Sequence, residues 1–232
     1  MTVSFTSVDL EKLRAVYERL LAAYGPRVLQ PSGHPLDELI GTILSQNTSD
    51  VNSGRAHARL RALYPTWEEL LDASEREIYE AIKPAGLGNL KAPRIKRTLR
   101  EVLRRRGELS LDFLADIPLD EARRWLTSLD GIGPKTAACV LLFALGRPAF
   151  PVDTHVHRIA RRLGLIAPNV GADRAHELLE QALPPEWVYE LHVDMIRHGR
   201  QVCQAQRPRC EACVLRDLCA YFAAAHVVEE ED

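Results

Sequence analysis

This sequence of 232 residues lacks the patterns of membrane-spanning and strand-rich proteins. No apolar run approaches the roughly 20 residues that a membrane-spanning helix needs. The N-terminus, MTVSFTSVDLEKL, has no basic region followed by an apolar one. Period-two alternation is missing, and no repeat recurs at the spacing of solenoid proteins. We therefore expect a soluble globular protein that remains in the cytoplasm.

Apolar residues recur at helical spacing along almost the whole chain. Turns that contain proline or glycine divide this pattern into about ten helices of ordinary length. The sequence therefore predicts an all-α protein. With 46% apolar residues it is long enough for one large domain or two small ones, and no linker separates two domains cleanly.

The formal net charge of −2 argues against a protein that coats nucleic acid by long-range attraction. Positive charge is nevertheless concentrated in residues 91–106, where eight lysines and arginines accompany the single Glu101. We expect the acidic residues 229–232 to form a solvated tail. The basic run predicts either a solvated helix face or a phosphate-binding surface.

A glycine-containing turn with the sequence LDGIGPK ends at Lys135 and joins the helical segment 119–128 to an apolar helix running to about Leu145. Gly131 and Gly133 let the backbone approach a phosphate closely, and the start of the next helix directs free N–H groups at that anion. This helix–hairpin–helix pattern predicts a grip on DNA that does not read sequence. A purely structural turn between packed helices is the alternative.

Lys135 lies in the first turn of that helix, where the helix dipole disfavours a positive charge. Its amine is a candidate nucleophile, and a surface lysine that binds phosphate as a point charge is the alternative. Asp153 follows eighteen residues later, at the N-cap position of a helix predicted over 155–163. It either caps that helix or supplies a carboxylate that accepts the lysine proton or stabilises a cationic sugar. His155 and His157 are predicted to pack or to hydrogen-bond.

Four of the five cysteines lie within seventeen residues, in a C-x6-C-x2-C-x5-C pattern. Four-cysteine zinc sites usually pair two short-spaced knuckles across a longer gap, whereas thiolates crowded on short loops suit an iron–sulfur cluster. The predicted ligands of a 4Fe-4S cluster are Cys203, Cys210, Cys213 and Cys219. Zinc and disulfide pairing are the alternatives. Arg207 and Arg209, between the first two ligands, are candidate phosphate contacts, and Cys139 is predicted to be a small core residue.

The order and spacing of the hairpin lysine, the Val-Asp-Thr-His segment and the four-cysteine loop resemble the endonuclease III family of DNA glycosylases. Residues 43–50 and 82–92 also have counterparts there, so the resemblance extends over nearly the whole chain. It implies the all-α helix-hairpin-helix glycosylase fold. A six-helix barrel would comprise residues 28–147, and an iron–sulfur cluster domain residues 1–27 and 148–232, with DNA in a cleft between them.

The resemblance also implies a bifunctional DNA glycosylase and abasic-site lyase that removes oxidised pyrimidines. A damaged nucleotide would be flipped out of the duplex, and Lys135 would attack the sugar C1′ to displace the base. Asp153 would activate the lysine and stabilise the cationic sugar, after which β-elimination would cut the strand. Thr127 departs from the family, since relatives can carry a carboxylate near the lysine at that position.

Side chains must fill the hole that a flipped nucleotide leaves in the base stack. Leu87 matches one such wedge residue of the family, and the second corresponds to either Gln46 or Asn47. The implied partner is double-stranded DNA with a damaged base or an abasic site, bound by a monomer. No membrane partner is expected, and the implied location is the cytoplasm of a bacterial or archaeal cell, in association with the nucleoid.

Two other functions remain open for this sequence. The first is a monofunctional mismatch glycosylase of the same fold, although adenine-mismatch relatives typically lack a lysine at the position of Lys135. The second is a non-catalytic DNA-binding module that uses the hairpin and the cluster only to hold duplex.

Overall fold

The computed structural model describes residues 8–226, so the acidic residues 229–232 lie outside the described part of the chain. Within residues 8–226 the protein is built from helices and short turns, without any β-strand, which confirms the all-α prediction. The helices are α1 Leu10–Tyr24, α2 Pro35–Ser45, α3 Asp50–Leu63, α4 Trp67–Asp72, α5 Glu75–Ile82, α6 Gly88–Arg106, α7 Leu119–Thr127, α8 Pro134–Cys139, α9 Thr154–Leu163, α10 Ala172–Ala182, α11 Val188–Gln201 and α12 Ala220–His226. No helix in this described part is both long and apolar enough to cross a membrane.

Several helices begin at polar side chains that satisfy the free N–H groups of the first turn. The hydroxyls of Thr66 and Ser74 accept from the third residue of α4 and α5, and Glu69 and Glu77 bond back to the cap residues. These reciprocal capping boxes fix where each helix starts. The apolar helix after the hairpin is less regular than its sequence predicts, because α8 continues as a π-helical turn over Val140–Ala144.

The chain divides into two compact units. The first, called the hairpin unit below, is Gln30–Arg147. The second, called the cysteine unit, combines the chain up to Leu29 with the chain from Pro148 onward.

The hairpin unit is organised around α2, which packs against α3, α6 and α8. Leu39, Ile40, Ile43 and Leu44 of α2 are fully buried, as expected for a helix that faces neighbours on several sides. Burial of each such side chain contributes roughly 1.5–3 kcal/mol relative to exposure. This central helix positions two side chains that matter below, Glu38 and Gln46.

The basic run at residues 91–106 does not form one continuous charged surface. Lys91 and Lys96 are buried, and each ammonium donates to a main-chain carbonyl, with Lys91 Nζ 2.7 Å from Leu44 O. Burial lowers the pKa of Lys91. The interpretation of the run as a basic face is therefore wrong for both lysines. The exposed positive charges on α6 come from its arginines, among them Arg97 and Arg100.

The cysteine unit is organised around α9 and α11. Helix α11 packs against α1 and α9, and α9 also contacts α10 and α12. Leu20 of α1, Val156 of α9 and Met195 of α11 are among its buried residues. The four clustered cysteines follow α11, so this packed helix core carries the loop that holds them.

Candidate functional site

The hairpin between α7 and α8 requires glycine at one position for two separate reasons. Gly131 has φ +73°, a conformation that L side chains rarely adopt. A Cβ there would also lie 2.7 Å from Nε of Arg94. Gly133 caps α8 with extended backbone, and a Cβ there would meet nothing within 4 Å. The backbone at Gly133 thus borders open space in front of the helix start, as a phosphate-binding hairpin needs.

Lys135 is the second residue of α8 and follows Pro134, which occupies the first helical position. Its side chain is half-buried. Helix α8 packs against α2 and α7 of the same unit. The contact with α2 places Lys135 within electrostatic range of Glu38.

Glu38 is a charged neighbour of Lys135 that the sequence analysis did not single out. It lies one turn before Thr42 on α2, is half-buried, and accepts a hydrogen bond from Thr42 Oγ1 at 3.3 Å. Burial raises the pKa of Glu38, while the hydroxyl of Thr42 and the charge of Lys135 act in the opposite direction. In the sequence Glu38 and Thr42 form an i,i+4 polar pair beside the apolar stripe of α2, but this pattern does not relate Glu38 to Lys135.

The carboxylate next to Glu38 is engaged differently. Asp37 Oδ2 lies 3.2 Å from Nε2 of His57, and its Oδ1 lies 3.2 Å from Nε of Arg61. Burial alone would raise the pKa of Asp37, but the neighbouring His57 and Arg61 lower it. The two adjacent carboxylates on α2 thus have opposite surroundings, which lower the pKa of Asp37 and raise the pKa of Glu38.

Thr127 does not replace the carboxylate that relatives can carry at its position. Its hydroxyl donates to the carbonyl of Arg123 at 2.9 Å, inside its own helix α7. A hydroxyl that bonds back to its own turn is not directed at another helix.

Asp153 is the N-cap of α9, as predicted. Its Oδ1 accepts from Val156 N at 2.8 Å. A buried histidine holds the segment before it, since His176 contacts Phe150 O at 3.0 Å and accepts from Val152 N at 3.2 Å. Asp153 belongs to the cysteine unit and Lys135 to the hairpin unit, so each is fixed by the packing of its own unit.

Two residues expected to act as wedges share an unusual backbone. Asn47 at φ +54° and Leu87 at φ +50° are the non-glycine residues with positive φ in the described part of the chain. Such strain, of order 1–3 kcal/mol, persists at functional sites where a side chain must be presented in a particular direction. Leu87 is 46% exposed despite being apolar, and Asn47 is also exposed. Gln46, in contrast, is half-buried and accepts from Arg94 Nη1 at 2.8 Å.

The four clustered cysteines are free thiols that influence one another electrostatically. Burial, with the neighbouring thiols, raises the pKa of Cys210 and of Cys213. The predicted cluster, when bound, would supply the positive charge that stabilises these cysteines as thiolate ligands. Within residues 8–226 no group of three or more His, Cys, Asp or Glu side chains is arranged to hold a metal ion.

Two basic side chains contact the cysteine sulfurs. Arg162 Nη1 donates to Cys203 Sγ at 3.3 Å, and His198 Nε2 lies 3.4 Å from Cys213 Sγ. Arg207 and Arg209 are exposed on the loop after Cys203, as their proposed phosphate contacts require.

The remaining sequence predictions concern two histidines and one cysteine that were not assigned a catalytic or ligand role. His157 Nε2 lies 2.8 Å from Val170 O and His155 Nδ1 lies 3.0 Å from Arg158 Nη2, so both histidines hydrogen-bond as predicted. Cys139 is 4% exposed, which confirms it as a core residue.

Residues 40–185 match a family described as HhH-GPD superfamily base excision DNA repair protein. Residues 203–219 match the iron–sulfur binding domain of endonuclease III, which bears out the predicted 4Fe-4S cofactor. A putative DNA glycosylase of Arabidopsis thaliana is 38% identical over 71% of this chain, which spans 56% of that relative's length. Endonuclease III of Thermotoga maritima is 35% identical over 81% of this chain and 84% of its own length.

Solved structures have the same fold. A non-covalent endonuclease III–DNA complex superposes with a TM-score of 0.80 at 28% identity, covering 95% of this chain and 99% of the other. A thermostable thymine-DNA glycosylase superposes with a TM-score of 0.77 at 23% identity, covering 92% of this chain and 98% of the other. The second likeness shows the shared fold alone.

Proposed function

This chain belongs to the endonuclease III family of HhH-GPD base excision DNA repair proteins, and from that membership we propose that it is a bifunctional DNA glycosylase and abasic-site lyase. Its proposed substrate is duplex DNA that contains an oxidised pyrimidine. The observation that carries the proposal is Lys135, a half-buried amine in the first turn of α8, directly after the hairpin.

Lys135 is the proposed nucleophile. Its neutral amine attacks C1′ of the flipped nucleotide, and the base leaves with the electron pair of the C1′–N bond. Nζ then loses a proton, and the C1′–O4′ bond opens with its electron pair on the protonated ring oxygen, which leaves a Schiff base between enzyme and sugar. β-Elimination from this intermediate then breaks the strand on the 3′ side of the lesion. Position within the first turn favours this role, because it places the amine directly after the hairpin that is proposed to hold the DNA backbone.

Asp153 is the proposed electrostatic partner of the sugar. One carboxylate oxygen is committed to the N-cap of α9, which fixes the orientation of the whole side chain. The second oxygen remains for stabilising positive charge that develops on C1′ as the base departs. The helix cap and the catalytic role are therefore compatible in one residue.

Asn47 and Leu87 are the proposed wedge residues. Both are exposed and held at positive φ, whereas the side chain of Gln46 is bonded to Arg94. The structure therefore favours Asn47 over Gln46 as the second wedge. Filling the vacated stack offsets part of an unstacking cost of roughly a few kcal/mol.

The proposed DNA grip combines the hairpin and the cysteine loop. Gly131 and Gly133 bring backbone N–H groups to one phosphate, and Arg207 and Arg209 contact the backbone elsewhere. The cluster, when bound to Cys203, Cys210, Cys213 and Cys219, supplies cross-links that keep this loop rigid. None of these contacts reads base identity, so substrate choice depends on the flipped base.

Product analysis on a duplex containing thymine glycol tests this proposal. The bifunctional enzyme releases the base and nicks the strand without alkali or heat. Base release that needs alkali to reveal a nick would instead indicate a monofunctional glycosylase. Binding with neither product would indicate a DNA-binding module.

A further inference from the structure

The two loops that carry the proposed wedge residues are held by one buried side chain. Lys91 of α6 is 3% exposed, and its ammonium donates to Leu44 O at 2.7 Å and to Ala85 O at 2.9 Å. Leu44 lies shortly before Asn47 in the chain, and Ala85 lies shortly before Leu87. A single ammonium thus joins two segments that are widely separated in the sequence.

Both carbonyls that accept from Lys91 lie where a helix ends. Leu44 is in the last turn of α2, and Ala85 is the last residue of the short 3-10 helix Lys83–Ala85. Carbonyls in the last turn of a helix lack a partner within that helix, and the negative end of the helix dipole favours a cation there. A buried ammonium in turn needs acceptors, which these two carbonyls provide. Lys91 therefore fixes the point at which each loop leaves its helix.

Lys91 is also tied to the second loop through its backbone. Its N–H donates to Leu87 O at 3.0 Å in the first turn of α6. Leu87 and Asn47 both have positive φ, and strain of this kind persists where the surrounding contacts over-determine the backbone. The hydrogen bonds from Lys91 Nζ are made close to both strained positions. They therefore help to hold the backbone that presents the two side chains.

We propose that Lys91 is a positioning residue that holds the Asn47 and Leu87 loops in one fixed arrangement, so that both side chains enter the base stack together. The inference rests on the proposed function, because Lys91 acts only through the two proposed wedge residues. A second contact from α6 supports it, since Arg94 Nη1 donates to Gln46 Oε1 at 2.8 Å. Helix α6 therefore holds the chain that leaves α2 both by its main chain and by a side chain.

A fixed arrangement of the two loops lowers the free-energy cost of inserting the wedge. Loops that moved independently would have to be ordered while the nucleotide leaves the stack, and that ordering would oppose flipping. Side chains that are already held in place fill the vacated stack without this cost. Lys91 thus affects the flipping step and makes no contact with the reacting atoms.

A second buried lysine on the same helix provides a matched control. Lys96 is 6% exposed, and its ammonium donates to the carbonyl of Ala73, the C-cap of α4. Lys96 therefore resembles Lys91 in its burial, its charge and its bond to a carbonyl at a helix end. Its bond holds the end of α4 and not a loop with a wedge residue. Lys91→Met and Lys96→Met make the same chemical change, and only the first should affect the wedge.

The test is the single-turnover rate of thymine glycol excision from duplex, measured well below the melting temperature of each variant. A misplacement of about 1 Å can slow a reaction about 100-fold, so we expect Lys91→Met to be at least about tenfold slower than wild type. Lys96→Met should excise at the wild-type rate. Lys91→Arg keeps the charge and several donors and should recover part of the rate lost in Lys91→Met.

A double-mutant cycle separates positioning from general damage to the fold. Asn47→Gly combined with Leu87→Ala removes both wedge side chains, and glycine adopts positive φ without strain. In that background Lys91→Met should slow excision much less than it does in wild type, because the side chains that Lys91 positions are already absent. A residue that only stabilises the fold would have the same effect in both backgrounds. If Lys91→Met does not fold, Lys91→Gln takes its place in the cycle, since a neutral amide donates weaker hydrogen bonds than an ammonium.

Failure of the inference is distinguishable from failure of the proposed function. Equal slowing by the Lys91 substitution in the two backgrounds, or equal rates of Lys91→Met and Lys96→Met, would refute the positioning role alone. If removal of the Asn47 and Leu87 side chains leaves excision unchanged, the wedge assignment is refuted. If wild type releases no base, the proposed glycosylase function itself is refuted.

Discussion

Replacing Gly131 by alanine separates two reasons for glycine in the hairpin. Gly131→Ala puts a Cβ at φ +73° and 2.7 Å from Nε of Arg94. Gly107, at the end of α6, has φ +76°, but a Cβ there would meet nothing within 4 Å. Gly107→Ala is therefore a matched control that reproduces the backbone strain without the collision.

The expected magnitudes follow from these contacts. Left-handed strain costs alanine about 1–2 kcal/mol, so Gly107→Ala should lower the free energy of unfolding by that amount. In Gly131→Ala the guanidinium of Arg94 must also move away from Gln46 Oε1, which lies 2.8 Å from its Nη1. Loss of a hydrogen bond to a charged group costs about 1.5–3 kcal/mol. Gly131→Ala should therefore be destabilised by roughly 2.5–5 kcal/mol in total.

Urea unfolding and binding to an uncleavable abasic duplex measure both consequences. The strain and the collision with Arg94 both distort the hairpin turn that is proposed to meet a phosphate, so Gly131→Ala should bind DNA at least about tenfold more weakly. Gly107→Ala should bind as wild type does. Equal destabilisation and equal DNA affinity in the two variants would refute the account of the hairpin.

Three further predictions concern the wedge, the cluster and Glu38. Leu87→Ala should slow excision of thymine glycol from duplex about tenfold in single-turnover assays. Its melting temperature should stay close to that of wild type, since an exposed leucine contributes little to stability. An unchanged excision rate would show that Leu87 is not a wedge residue. Cys203→Ser should lose iron, visible absorbance and stability together, whereas Cys139→Ala should keep its iron content; a Cys203→Ser protein with full iron content would contradict the ligand set. Glu38→Gln should increase the free energy of unfolding at pH 7, because the raised pKa of Glu38 means that ionisation destabilises the folded state as pH rises through that pKa. This gain in the free energy of unfolding should vanish below about pH 4, where Glu38 is protonated in both folded and unfolded protein. Urea unfolding of both proteins at pH 7 and below pH 4 measures the gain, and an equal gain at the two pH values would contradict the reasoning.

Local sequence patterns predicted the helices and most of the candidate residues. Short-range features can be recognised in the sequence without knowing which residues pack against them. They include the spacing of the four cysteines, the N-cap position of Asp153 and the hairpin glycines. The same holds for the helical periodicity of α2. Residues such as Cys139, inside an apolar run, are equally easy to assign to the core.

Features that depend on contacts between distant segments were not predictable. Lys91 looked like one more positive charge in a basic run, yet its ammonium is buried against the carbonyl of Leu44, 47 residues away. The hydrogen bond between Arg94 and Gln46 joins residues 48 positions apart, and it engages the Gln46 side chain that the sequence offered as a wedge. Glu38 resembled an ordinary acidic residue in a first helical turn, and only the packing of α2 against α8 relates it to Lys135.

Borohydride trapping on abasic-site duplex, comparing wild type with Lys135→Gln, tests the central claim most directly. We expect a covalent protein–DNA adduct in wild type and none in Lys135→Gln, with nearly equal affinity for uncleaved DNA. An adduct of undiminished yield in Lys135→Gln would contradict the assignment of this lysine as the nucleophile. Tight binding by wild type without any adduct would contradict lyase chemistry in this protein.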